Sequence, residues 1–183
     1  MTRRLRTQAA LQEAALQLFD ERGYDATSVA AIAVHAGVTE MTFFRHFGTK
    51  DAVLMSDPYD PLIADGIARQ PSDLAAIAAT IAGIRGALAK VPLAATVIIR
   101  RRLRIVARTP SLAGAMARNN VATEAAISDA LVSRGVNRAD ARIAAAAALG
   151  ALNAALLDWV DGDDDDLGAA IERALRVVEG SRG

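Results

Sequence analysis

Between Leu11 and Phe19 the apolar side chains recur at helical intervals, with Leu11, Ala14, Ala15, Leu18 and Phe19 on one stripe. The spacing predicts a helix over about 6–22, closed by Gly23. A second, shorter stripe follows in Val29, Ile32, Ala33 and Ala36, and Gly37 breaks it. Thr39 then offers a side-chain oxygen to cap a third helix over about 40–47. Phe43 and Phe47, four residues apart, form its buried side. Thr42, Phe44, Arg45 and His46 are left for the other. Two short helices joined by a glycine turn, the second bearing polar and aromatic groups, make a helix-turn-helix. The second helix of such a pair enters a DNA major groove.

A fourth helix is predicted from Thr49, capped by that residue and stopped before Pro58 and Pro61. This proline-bearing stretch is the expected domain boundary, dividing residues 1–57 from residues 58–183. Beyond it the pattern stays helical. Ser72 is the expected cap of a helix over about 73–90, and Pro92 suits the first turn of one over about 92–108. A helix over about 111–134 is closed by Gly135. Asn137 and Asp140, in a variant capping box, open another that reaches about residue 160. The last spans about 166–179. No strand pattern and no repeat of 20–50 residues is found, so the expected fold is all-α with about nine helices.

Composition narrows the function classes. With 183 residues, 52% of them hydrophobic, the chain can bury a real core. It has no cysteine, which excludes a disulfide framework, a Cys-based zinc site and a thiol nucleophile. Both histidines lie inside the helix-turn-helix, and no Gly-x-Ser-x-Gly elbow occurs, so no enzyme is expected. The most apolar stretch, Ile143 to Leu157, is Ala-rich and interrupted by Asn153. It reads as too short and too weakly apolar to span a membrane. With no apolar N-terminal signal segment, a cytoplasmic, soluble protein without membrane association is expected. No cofactor or metal is expected either. Asp161 and Asp163 to Asp166 lack the order of a calcium loop and read as a solvated loop with an N-cap.

Net charge is zero, so distribution matters more than the sum. Arg3, Arg4 and Arg6 precede the first helix, and Arg45 and Lys50 flank the third, while the acidic cluster lies near the C-terminus. A modest basic face is expected.

The stretch from Thr27 to Lys50 resembles the TetR family of one-component transcriptional regulators. Thr27 or Ser28, Ile32, Ala33, Ala36, Gly37, Val38, Thr42, Phe47 and Lys50 match the family pattern. Thr39 and Thr49 stand where Ser is common, Phe44 replaces the usual Tyr, and Glu40 stands where a basic or small residue is frequent. The resemblance is strong over Leu11 to Leu54 and rests beyond that on length and helical character. It implies three helices for DNA, with the rest for ligand binding and dimerisation. It also implies a homodimer on a palindromic double-stranded operator, released as a repressor by an unidentified small-molecule ligand. The ligand-pocket residues are not legible.

The DNA-facing set is Thr27, Ser28, Thr39, Glu40, Met41, Thr42, Phe44, Arg45, His46 and Lys50. Arg45 can pair bidentately with guanine or grip a phosphate, and Thr42 can meet a thymine methyl. Phe44 either touches sugar and thymine or caps the small core. His46 either bonds a phosphate or fills a surface slot. Glu40 suits the positive end of its helix. Alternatively, it accepts from a cytosine or pairs with Arg45. Lys50 is expected on a phosphate. Arg3, Arg4 and Arg6 form either a DNA-binding arm or a disordered terminus.

In the C-terminal part, Ala144 to Ala148, Gly150 and Ala151 leave a helix with very small side chains. The expected dimer interface is Leu149, Leu152, Asn153, Leu156, Ile171 and Val178; otherwise these complete a monomer core. Trp159 is expected in core or dimer packing, and Asn120 in a pocket or at a boundary. Arg100, Arg104 and Arg108 recur every four residues. They read as a solvated face, as a hinge face pairing with carboxylates of the DNA-binding part, or as an anion site.

Overall fold

The computed structural model describes residues 2–56, 59–162 and 166–180, with only the backbone of Asp60. Ten α-helices and one short 3-10 turn account for the regular structure of these residues, and no strand occurs among them. The chain packs as two units. One comprises Met1–Ser56 and Arg101–Met116, the other Asp57–Arg100 and Ala117–Gly183.

In the first unit, α1 (Arg3–Arg22) starts at Thr2, whose hydroxyl accepts from the Leu5 amide, and stops at Gly23 with φ 81°. The helix therefore begins three residues earlier than its apolar stripe predicts. Arg3, Arg4 and Arg6 are in its first turns, not in an arm. α2 (Val29–His35) is capped by Ser28, and α3 (Glu40–Phe47) by Thr39. α4 (Ala52–Met55) is shorter than predicted and has no side-chain cap; Thr49 lies three residues outside it. The core joins Leu11, Ala15, Leu18 and Phe19 of α1 to Ile32, Phe43 and Val53, with Ile105 and Leu112 from later in the chain.

In the second unit, α5 (Asp60–Ala68) occupies a stretch read as a boundary. Pro61 sits in its first turn, where a missing amide costs nothing, so it starts the helix instead of preventing one. α6 (Ala76–Leu88) begins after a turn in which the Leu74 amide donates to Pro71, and Ser72 does not cap it. Gly83 lets α5 and α6 touch backbone to backbone. A β-carbon there would lie 2.5 Å from Ile67 Cγ1 and 2.9 Å from its amide nitrogen.

α7 (Leu93–Ala107) and α8 (Ala113–Ser133) each pass from one packing unit to the other. α9 (Arg138–Asp161) is capped by Asn137, which accepts from the Asp140 amide at 3.0 Å. α10 (Leu167–Glu179) is capped by Asp166 and ended by Gly180 at φ 74°. Asp166 therefore has the capping role expected of it, and Asp163 to Asp165 lie outside the described residues.

α9 corrects one expectation. It continues past Ile143–Leu157 to 24 residues, with a mean hydropathy of 1.7 over its best 18-residue window, so by length and composition it could cross a membrane. Here Ala141, Ala145, Ala148, Leu152 and Ala155 form one stripe, buried as α9 packs on α10 and α6.

Candidate nucleic-acid interface

The turn between α2 and α3 is made by Gly37 at φ 68°, a conformation side chains rarely tolerate. The Val38 amide reaches back to the Ala33 carbonyl at 2.9 Å. The Thr39 hydroxyl accepts from the Thr42 amide at 3.2 Å and lies 3.1 Å from the Thr42 hydroxyl. Phe43 is wholly buried and stacks obliquely on Phe47, with 5.5 Å between centroids. Their burial fixes which side of α3 faces out. Glu40, Met41, Phe44 and Arg45 are exposed, and Thr42 and His46 half-buried. Phe44 meets the edge of Phe43 at 5.7 Å yet stays 46% exposed, so it serves core and surface together.

The first turns of α1 stand beside α3. Arg3, Arg4 and Thr7 with Val38, Thr39, Thr42, Arg45 and His46 line an open groove of about 650 Å³. Three arginines and three hydroxyls in one groove suit a phosphodiester backbone. Sequence reasoning read Arg3 and Arg4 as either a DNA-binding arm or a disordered terminus and left Thr7 out. The missed signal was Thr2, an N-cap residue ahead of the arginines. His46 is held below the usual histidine value by desolvation, then by Arg4 and Arg45. Glu40 forms no ion pair with Arg45, and sits in the first turn of α3, where a negative charge meets the helix's positive end.

Two of the residues expected at DNA make bonds within the fold. Thr27 is 2% exposed, and its hydroxyl donates to the Gly23 carbonyl at 2.8 Å and toward Leu18 at 3.3 Å. The Lys50 ammonium donates to the Tyr24 carbonyl at 2.8 Å and the Thr27 carbonyl at 2.9 Å, and lies 4.0 Å from the Tyr24 ring centroid. Burial lowers its pKa, opposed by Asp25. This lysine clamps the α1–α2 loop, and α4 begins two residues later. Ser28 is exposed and accepts from the Ala31 amide at 3.1 Å as the α2 cap.

In the second unit, Leu152 is 7% exposed and packs with Ile81, Ile84, Ala148 and Leu175, against which Ile171 and Val178 also lie. Leu152 is thus part of a core cluster within the chain, and Ile171 and Val178 are partly buried against it. Leu149, Asn153 and Leu156 are half-buried. The apolar groups that α9 and α10 turn to solvent are Ile143 at 68%, Leu157 at 48% and Val177 at 73%. Ala147, Gly150 and Ala154 lie between Ile143 and Leu157 on the same exposed stripe. Arg85 of α6 secures α10, donating to Glu172 through two nitrogens (3.0 and 2.6 Å) and also to Glu179. An open groove of about 590 Å³ is lined partly by Leu88, Val91, Leu93 and Leu167. Asn120 is half-buried, and Trp159 is buried.

The model for bacterial regulatory proteins of the tetR family matches residues 11–55, and that for the MftR C-terminal domain matches residues 74–182. The chain belongs to the TetR family. Among curated relatives, the HTH-type transcriptional repressor Rv3405c of Mycobacterium tuberculosis is 50% identical over 46 residues. The regulator Mb3439c of Mycobacterium bovis matches equally. The match covers 25% of this chain and 24% of each relative. Among solved structures, native NalD, the secondary repressor of the MexAB-OprM multidrug efflux pump in Pseudomonas aeruginosa, has a TM-score of 0.56 at 26% identity. The likeness covers 97% of both chains. Thermus thermophilus FadR, a TetR-family repressor solved with lauroyl-CoA, has a TM-score of 0.51 at 19% identity, over 96% and 95% of the two chains, and shares the fold.

Proposed function

We propose that this TetR-family chain is a cytoplasmic, homodimeric transcriptional repressor that leaves a palindromic operator when a small molecule binds. Residues 1–57 form the DNA-binding domain, and residues 58–183 serve ligand binding and dimerisation. The observation that carries the reading is the groove joining Arg3, Arg4 and Thr7 to Thr39, Thr42, Arg45 and His46. One strand's phosphates lie against Arg3, Arg4 and His46, while Arg45, Met41 and Phe44 meet base edges. One solved neighbour, Thermus thermophilus FadR, was solved with lauroyl-CoA, and an effector with an apolar chain is the class we favour for this protein. Apolar side chains such as Leu88, Val91 and Leu93 suit the same class. The effector acts by favouring the protein state that does not fit the operator.

The dimer face we assign is the exposed Ile143–Gly150–Leu157 stripe of α9 with Val177 of α10, in place of the Leu152 stripe. Small residues between the two larger ones let a second helix approach closely. The test is selection of duplexes from random-sequence DNA by the purified full chain. An enriched two-fold symmetric sequence that shifts the protein in a gel supports the proposal; recovery of no sequence overturns it.

A further inference from the structure

The eight residues of α3 form pairs spaced four apart, and at about 3.6 residues per turn each pair shares one side of the helix. Phe43 and Phe47 are the buried side. Thr42 and His46, half-buried, turn toward the groove lined by Arg3 and Arg4. Glu40 and Phe44 form the other flank, where Phe44 stands edge-on to Phe43 at 5.7 Å. Met41 and Arg45 make the crest, opposite the buried pair, and both are exposed, Met41 at 75%. All of these residues lie in the first packing unit.

Chemistry separates the two crest residues. Arg45 brings donors that suit guanine N7 and O6. Met41 brings no N–H or O–H, and its sulfur is a weak acceptor. Pressed on the polar edge of guanine, cytosine or adenine, it would strip water from base atoms and give no good hydrogen bond in return. Thymine alone among the four bases carries an alkyl group, its C5 methyl, in the major groove. The unbranched methionine chain can fit itself to that methyl. A lone apolar side chain elsewhere on the surface needs no such account. Met41 stands on the crest of α3 with Arg45, which also lines the arginine-bearing groove.

Resting on the DNA-binding reading above, we propose that Met41 is a specificity-determining residue that selects a thymine in each operator half-site by packing on its C5 methyl. Arg45 reads a guanine nearby. The methyl contact carries no charge, so salt that weakens the phosphate contacts leaves this preference in place.

The full chain is titrated with its selected duplex and with duplexes in which one thymine per half-site is replaced by deoxyuridine. The replacement removes the methyl and keeps the pairing and the O4 acceptor. At one thymine position it should weaken binding about four-fold per half-site, the worth of one buried carbon. Met41→Ala, and Met41→Gln, which keeps the chain length, should bind thymine and uracil alike at that position. Met41→Leu should keep the preference. A purely structural Met41 would lower the melting temperature of Met41→Ala and leave the thymine-to-uracil ratio unchanged, which overturns the inference. Should Met41→Ala fail to fold, Met41→Gln decides alone. A selected half-site without thymine overturns the inference too, as does a duplex indifferent to every replacement; both leave the DNA-binding reading standing. Failure of the wild type to bind any duplex defeats that reading and this inference with it.

Discussion

The Lys50 ammonium donates to the Thr27 carbonyl at 2.9 Å, closing the α1–α2 loop onto the start of α4. Lys50→Met should therefore act on stability. Losing a charge-assisted, partly buried bond costs about 1–2 kcal/mol. The slope of log affinity against log salt should stay as in the wild type, whereas one lost phosphate contact reduces it by about 0.9. Denaturant unfolding and a salt series of operator titrations check both. An unchanged midpoint with a shallower slope would return Lys50 to the phosphates.

His46 predicts a pH effect. Desolvation, Arg4 and Arg45 lower its pKa, so the free protein carries it mostly neutral at neutral pH. A phosphate in the groove favours the charged form, and binding takes up a proton. Operator affinity should rise as pH falls from about 8 to about 6, and His46→Gln should flatten the profile. Folding runs the other way: a lowered folded value gives stability that is present above the unfolded value, about 6.5, and is lost as pH falls. Titrations at constant ionic strength separate the two.

Two substitutions on α9 should part company. Leu157→Glu places a charge on an exposed stripe and should leave a folded monomer with weakened operator affinity, since one half-site is lost. Leu152→Glu buries a carboxylate among Ile81, Ile84 and Leu175 and should unfold the second unit, at a cost of several kcal/mol. Sedimentation equilibrium with circular dichroism distinguishes them. A folded Leu157→Glu dimer moves the interface elsewhere.

Gly83→Ala should cost about 1–3 kcal/mol by overpacking, because the new methyl meets Ile67 at backbone distance. A thermal melt at or above the wild-type temperature would contradict the α5–α6 contact.

The local grammar of the chain was readable. Thr39, Asn137 and Asp166 cap helices whose stripes and stops are all within a few residues. What depends on distant partners was not. Lys50 and Thr27 match a family pattern, yet their bond spans 23 residues and leaves no periodicity to read. Leu152 and Ile143 are both apolar on one Ala-rich helix. Which of them turns inward is decided by α6 and α10, not by α9 itself. Pro61 was ambiguous for a physical reason, since proline both ends one helix and opens the next.

Operator titration of Arg45→Ala addresses the central claim most directly. Arg45 is exposed on α3 and lines the groove, while Phe43 and Phe47 hold the helix from beneath. Its loss should cost about 1–3 kcal/mol on the selected operator and relax the preference at one base pair per half-site. Random DNA should bind less affected, and the helical fold and dimer should remain. Operator affinity equal to the wild type, with specificity intact, would contradict the assignment of α3 as the reading helix.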